Sequence, residues 1–439
     1  MNLLILIFFL VGSLILFITV LKINPFLAFL LISIFAGILL GIPLKNLSQS
    51  IQKGIGEMMG SLLVVICLGS MLGKLVAESG AARVIADTMI KLFGLKYIRW
   101  GLLCTGFIIG IPLFFNVGFV ICIPIIFALA QEYKLPRVAL GLPMIAALSV
   151  AHGFLPPHPS PVALISIFHA NMGQTLFLGT ILAVPILILS GPVFSGFMDG
   201  ICPIHPDHKY VFKEIKNENL PSIFNSFFSA LIPVFLLGLF TLLSFIFSRN
   251  SNFRDIIKFL SEPAILMILA LIIGSITLGK VQTQGMRKLM GVYEMAIQEI
   301  SIILLILAGS GALKQVLIDS GTTNQIAEMF SQLTVPPLIL AWLIAALIRV
   351  CLGSATVAGL TTASLILPIM TGSAINPSLM VLSIGSGSLM FSHVNDPGFW
   401  MFKEYFNLSL KDTFLSWSLM ESLISVLGLI GVLGLNHLV

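Results

Sequence analysis

Charge is what this chain has least of. Asp, Glu, Lys and Arg make up 9% of its 439 residues, against about 25% in a soluble domain. So little charge cannot cover the surface of a soluble fold, which excludes a soluble enzyme. The net charge of +5 sits in loops and implies no nucleic-acid partner. Cysteine is also scarce. Cys67, Cys104, Cys122, Cys202 and Cys351 show no ligand spacing, and four of them lie in apolar segments. That excludes a disulfide framework and a zinc site and leaves small packing residues. The first 21 residues have no basic n-region and no small-residue cleavage site, so they read as a retained helix and not as a signal peptide. No low-complexity tract appears. No His-Glu-x-x-His is present, and Gly385-Ser386-Gly387-Ser388 lacks the spacing of a nucleophile elbow. A membrane enzyme is therefore a poor reading, and no cofactor is expected.

What is abundant is apolar residues, at 58%, with a mean hydropathy of +1.09. The fold class is an all-α polytopic membrane protein. A crossing needs about 20 apolar residues. Crossings are expected near 3–21, 25–42, 60–77, 175–197, 227–248, 261–279, 300–318 and 413–436. Two segments are too long for one helix. Residues 97–130 are broken by Pro112, Asn116, Gly118 and Pro124, and residues 336–371 by Gly353, Ser354, Thr356 and Gly359. Each reads as a re-entrant helix–turn–helix hairpin; for 97–130 the alternative is two ordinary crossings with a tight turn. After each hairpin comes a crossing broken partway, at about 138–170 and 378–402.

The chain also repeats itself. Leu72-x-x-Leu75-x-x-Glu78-Ser79-Gly80 with Ile85-Ala86-Asp87 matches Leu313-x-x-Val316-x-x-Asp319-Ser320-Gly321 with Ile326-Ala327-Glu328. The offset is 241 residues (321 − 80), and it also carries His152 to His393. Charges indicate inversion of the second copy. Lys74, Arg83, Lys91, Lys96 and Arg99 flank the first hairpin, and Lys134 and Arg137 follow it, which places its ends inside. The matching flank 319–335 carries Asp319 and Glu328 and no Lys or Arg. Five crossings per half invert the second half. The expected organisation is a first inverted repeat at 1–198, a cytoplasmic linker at 199–221 and a second repeat at 222–439, with both termini external. His205 and His208 belong to that solvated linker. The loop with Arg249, Arg254 and Lys258 falls outside against the charge rule, unless it forms a short interfacial helix.

Four polar breaks hold the candidate chemistry. The first hairpin offers Asn116 between aromatics. The first broken crossing places His152 and His158 among four prolines, and proline cannot continue a helix there. The second hairpin offers Ser354, Thr356 and Thr361. The second broken crossing offers His393, Asn395 and Asp396, the one acid in any of the four breaks. Half-helix N-termini present unpaired N–H groups and suit a carboxylate. Arg349 lies inside an apolar run, where a charge is a functional hypothesis by default. It reads as a clamp for a substrate carboxylate, or as the partner of an internal acid. Asp396 with His393 is the expected proton-coupling pair; the alternative for Asp396 is a helix cap.

At these residues the sequence resembles the gluconate permease family of bacterial proton symporters, within the ion-transporter superfamily. The resemblance rests on Leu72 to Asp87, Gly153-Phe154-Leu155-Pro156-Pro157-His158-Pro159, Arg349 with Gly353 to Ala358, and Ser392-His393-Val394-Asn395-Asp396 followed by Gly398-Phe399-Trp400. It implies uptake of gluconate or a related sugar acid by proton symport, through an elevator-type homodimer with a scaffold and a moving transport part. It also implies a multi-pass protein of the bacterial cytoplasmic (inner) membrane. The chain departs from the family pattern with Asn116 and Leu352 in place of the usual acid and glutamine, and with Pro397 in place of a small residue. The expected partners are a small organic anion, the lipid bilayer and a second copy of the chain. The alternative is a sodium-coupled or exchange carrier of another small organic or amino acid, such as D-serine.

Overall fold

The computed structural model describes residues 9–198, 220–246, 251–279, 285–321, 335–370 and 375–438, apart from 11, 15 and 395. The expected crossing at 3–21 is therefore described only from residue 9, and the linker at 199–221 only at its last two residues. The described chain is helical. In the first half the helices are α1 Pro25–Leu39, α2 Leu44–Glu78, α3 Ala81–Phe93, α4 Ile98–Gly110, α5 Phe115–Tyr133, α6 Arg137–Phe154, α7 Pro159–Phe168 and α8 Met172–Ile188. In the second they are α9 Ile223–Ile246, α10 Ser251–Ser261, α11 Pro263–Gly274, α12 Met286–Asp319, α13 Pro337–Leu352, α14 Ala355–Met370, α15 Pro377–Gly387, α16 Pro397–Tyr405 and α17 Leu419–Asn436. Among the described residues, five helical stretches are long and apolar enough to cross a membrane, and up to eight if each bent pair is one span. Many large apolar side chains, such as Phe35, Ile181 and Leu347, are exposed on the outside. This is a multi-pass membrane architecture.

Two expected crossings are longer than foreseen. The helix expected at 60–77 begins at Leu44, and the one expected at 300–318 begins at Met286. Their added turns are polar on one face, as with Lys53 and Glu57 one turn apart at 3.9 Å, so an apolar window misses them. Lipid supplies no hydrophobic drive between helices, so their packing depends on close approach. Here α2 and α12 meet through glycines. A Cβ on Gly54 would lie 2.2 Å from the Gly311 carbonyl oxygen, and one on Gly311 would lie 2.5 Å from that of Gly54. Farther along, the Ser70 hydroxyl donates to the Ala296 carbonyl at 2.9 Å. Because 54 meets 311 while 70 meets 296, the two long helices run antiparallel. They also end alike. Ser79 and Ser320 close them at φ −73° and −72°, and Gly80 and Gly321 follow in the left-handed region at +77° and +71°.

Around this pair, α1 packs on α12 and α11 packs on α2. Each hairpin's entering helix packs on the broken crossing that follows it, α4 on α6 and α13 on α15. The two broken crossings touch where Gly385 faces Gly153: a Cβ on Gly385 would lie 2.4 Å from the Gly153 carbonyl. The outlying basic loop contains α10, an amphipathic helix with Phe253, Ile256 and Phe259 exposed, bent 70° from α11. That geometry suits a helix lying at an interface. Arg249 and the Arg254 side chain lie outside what is described.

Candidate functional site

The breaks form where backbone chemistry leaves no other choice. α6 ends at Phe154 because Pro156 and Pro157 follow, and α7 restarts with Pro159 at its first position after an extended His158. α13 ends at Gly353, whose φ of +74° is a left-handed cap that a glycine adopts without strain. α16 starts at Pro397 behind Asp396.

The first hairpin tip meets the first break. The His158 ring nitrogen Nε2 donates to the Gly110 carbonyl at 2.7 Å. The Phe114 ring lies 6.2 Å from that of His158, and the Phe115 ring 6.3 Å from that of His152. The two imidazoles are 5.4 Å apart. Asn116 is the second residue of α5, though its side chain lies outside the description. The second hairpin meets the second break in the same way. His393 Nε2 donates to the Val350 carbonyl at 2.8 Å. Arg349, 4% exposed, forms a buried ion pair with Asp396. Ser354 and Thr356 sit half-buried at the start of α14. Asn395 lies outside the described residues.

The expected pairing of Asp396 with His393 is not what forms. Asp396 Oδ2 takes Arg349 Nη2 and the Ser392 hydroxyl, and Oδ1 takes the Gly398 N–H at 2.8 Å. The carboxylate is thus both a helix cap and a counter-ion. An arginine one turn from the end of α13 is the strongest donor within reach, and the His393 ring is turned to a backbone carbonyl. Trp417, in the π-helical turn ahead of α17, donates its indole N–H to the Ser392 hydroxyl at 2.7 Å and packs its ring, tilted by 56°, 5.7 Å from that of Phe115. It links the second break to the first hairpin.

The halves also meet directly. α7 packs on α14 and α15, and a Cβ on Gly359 of α14 would lie 3.1 Å from Ser160 Oγ of α7. Buried polar groups are almost always hydrogen-bonded. Among the described residues the buried side-chain atoms without a partner are His152 Nδ1, Ser160 Oγ, Arg349 Nε and Nη1, Thr361 Oγ1, Thr362 Oγ1 and Glu421 Oε2. All but the last lie within the broken crossings and the second hairpin.

Sequence reasoning missed Glu421, and no second internal acid was expected. It is 1% exposed in α17 and accepts the Ser149 hydroxyl at 2.5 Å. The rule that singled out Arg349, a charge inside an apolar run, applies equally to Glu421. Ser160 and Thr362 were also missed. Their signal was position alone: one in the proline-rich break, the other beside Thr361.

A family model for GntP family permeases matches residues 1–439. The chain belongs to this family. Among GntP relatives, the high-affinity gluconate transporter of Escherichia coli K12 is 43% identical, over 95% of each chain. The L-idonate transporter of the Gnt-II system of the same organism is 42% identical over 94% of each. The gluconate permease of Bacillus subtilis 168 is 42% identical over 93% of this chain and 94% of its own. These relatives are transporters and permeases, and the GntP chain described here is likewise a permease and not an enzyme. Its fold is similar to that of the YdaH transporter of Alcanivorax borkumensis, with a TM-score of 0.68 and 15% identity over 94% of this chain and 98% of that one.

Proposed function

We propose that this permease carries a small hydroxylated carboxylate, gluconate or a close relative such as L-idonate, inward across the bacterial cytoplasmic membrane by proton symport. The observation that carries the reading is the set of unpartnered buried polar atoms at the junction of the breaks. An unmade buried hydrogen bond costs about 1–3 kcal/mol. We take the six such atoms in His152, Ser160, Arg349, Thr361 and Thr362 as partners for a polar ligand. Arg349 Nε and Nη1 suit a carboxylate while Nη2 stays with Asp396. Ser160, Thr361 and Thr362 suit the hydroxyls of a polyol chain, with His152 and the half-buried Ser354 and Thr356 beside them. A site built on hydroxyl partners penalises an analogue without them. The gluconate and L-idonate relatives support the same substrate class.

The transport reading takes the two halves, 1–198 and 222–439, as inverted repeats around a cytoplasmic linker, with re-entrant hairpins and both termini external. The antiparallel course of α2 and α12 and the matched ends of the two helices support it. The moving part of an elevator would hold the hairpins and broken crossings, and a homodimer would supply its fixed frame.

Uptake of labelled gluconate into proteoliposomes tests the function. Accumulation above the outside concentration is expected when the lumen is alkaline. Accumulation that follows a sodium gradient and ignores the pH gradient would replace proton symport by sodium coupling. Uptake of amino acids without competition by gluconate would replace the substrate class.

A further inference from the structure

Among the described residues, two acids are buried in the membrane-spanning part, and they are held very differently. Asp396 receives a guanidinium, a hydroxyl and a backbone N–H. A proton placed there would cancel the charge that faces Arg349. Glu421 receives the Ser149 hydroxyl on Oε1 alone, and its Oε2 has no partner. A proton on that oxygen breaks no contact. Glu421 also lies within the electrostatic reach of both Arg349 and Asp396.

The groups around Glu421 are few. Of the helices packed on α17, α8 and α15 contribute no titratable side chain. α6 contributes His152, one turn beyond Ser149, and Arg137 at its opposite end. α13 contributes Arg349 and Cys351. The charge that an ionised Glu421 can lean on is therefore that of Arg349.

We infer that Glu421 is the carboxyl that binds the transported proton, with Ser149 as its positioning residue and Arg349 as its link to the substrate. This deepens the proton-symport reading above and rests on it. With the site empty, the Arg349 charge is shared between Asp396 and an ionised Glu421. An arriving carboxylate takes Arg349 Nε or Nη1 and cancels the charge on which Glu421 relies. Three anions then face one cation, and a buried unpaired carboxylate is strongly disfavoured. Glu421 takes a proton from water on the entry side, closing its Oε2–H bond. Once the substrate leaves on the other side, Arg349 again faces only Asp396 and Glu421, and the same O–H bond breaks, releasing the proton to water there. Linkage makes the effect reciprocal, so a protonated Glu421 favours substrate binding.

The test is proton uptake on binding, read with a pH indicator on weakly buffered, purified full-length protein. At a pH alkaline enough to ionise Glu421 in the empty protein, gluconate added to the wild type should take up about one proton per substrate bound, by linkage. Glu421→Gln, a mimic of the protonated form, should still bind gluconate, take up none, and fail to accumulate it uphill in liposomes. Glu421→Asp should restore part of the proton uptake, which a merely structural role would not. Should Glu421→Gln not fold, Ser149→Ala carries the test. Loss of one hydrogen bond should displace the pH profile of binding by about half to one pH unit, and an unmoved profile overturns the inference. Proton uptake by the wild type that persists undiminished in Glu421→Gln sinks the role of Glu421 alone. No proton uptake by the wild type, with no response to a pH gradient, sinks the symport reading and this inference together.

Discussion

Asparagine at position 396 separates the two roles that Asp396 holds at once. Asp396→Asn keeps an acceptor for the Gly398 N–H, so the cap on α16 survives. It removes the counter-charge of Arg349, whose Nε and Nη1 already have no partner. Removing one member of a buried ion pair costs about 3–5 kcal/mol, because the other charge is left uncompensated. Glu421 lies close enough to take part of that charge, which argues for the lower end, about 3 kcal/mol. Asp396→Ala loses the cap as well, adding about 1 kcal/mol. Thermal unfolding of purified protein should then rank wild type above Asp396→Asn and Asp396→Ala lowest. Gluconate should reorder the series. A ligand at a hundred times its Kd adds about 2.7 kcal/mol to any folded protein that binds it. In Asp396→Asn its carboxylate also becomes the missing counter-ion, so the ligand-induced rise in unfolding temperature should exceed that of wild type. It should not restore the cap lost in Asp396→Ala. Unfolding of ligand-free Asp396→Asn together with wild type, or a smaller rise with gluconate than in wild type, would refute the counter-ion role of Asp396.

How much of this was readable beforehand depends on the range of the interaction. The breaks were legible because their causes are local: proline stops α6 at Phe154, and a left-handed glycine stops α13 at Gly353. The matching ends of α2 and α12 were legible because Ser79–Gly80 and Ser320–Gly321 write the same helix end twice. The partner of Arg349 was left open between a substrate carboxylate and an internal acid. Asp396 is 47 residues away from it, and the chain offers Asp396 a nearer partner in His393. Only the docking of the second hairpin on the second break decides between them. Glu421 was hidden by averaging, since one acid hardly lowers the hydropathy of an apolar run. The starts of α2 and α12 were hidden for the opposite reason: their polar faces dilute an apolar window although the helix continues. The orphaned hydroxyls of Ser160, Thr361 and Thr362 become informative only when burial is known, because an exposed serine or threonine has water for a partner.

Three further outcomes follow from the packing and the site. Gly54→Ala should lower the unfolding temperature, since its methyl would meet the Gly311 carbonyl backbone and force α2 from α12, at a cost of about 1–3 kcal/mol. Gly56→Ala, where nothing lies within 4 Å, should be neutral or slightly stabilising, and equal losses for both would refute the contact. Arg349→Lys should bind gluconate weakly although the charge remains, because an ammonium cannot serve Asp396 and a second carboxylate in the fixed planar geometry of a guanidinium; binding at wild-type strength would remove Arg349 from the site. The hydroxyls give the sharpest test of where the substrate lies. Ser160 is 2% exposed and Thr361 1% exposed, so without ligand neither has water or protein to bond. Ser160→Ala and Thr361→Val should therefore leave the empty protein as stable as wild type, or stabilise it, because each removes a buried unsatisfied group. Each should weaken gluconate binding about five- to tenfold, the equivalent of one hydrogen bond. The loss should vanish for the deoxy analogue that lacks the matching hydroxyl, since there the bond is already missing. If each variant weakens gluconate and every deoxy analogue alike, the substrate's polyol chain does not lie between α7 and α14.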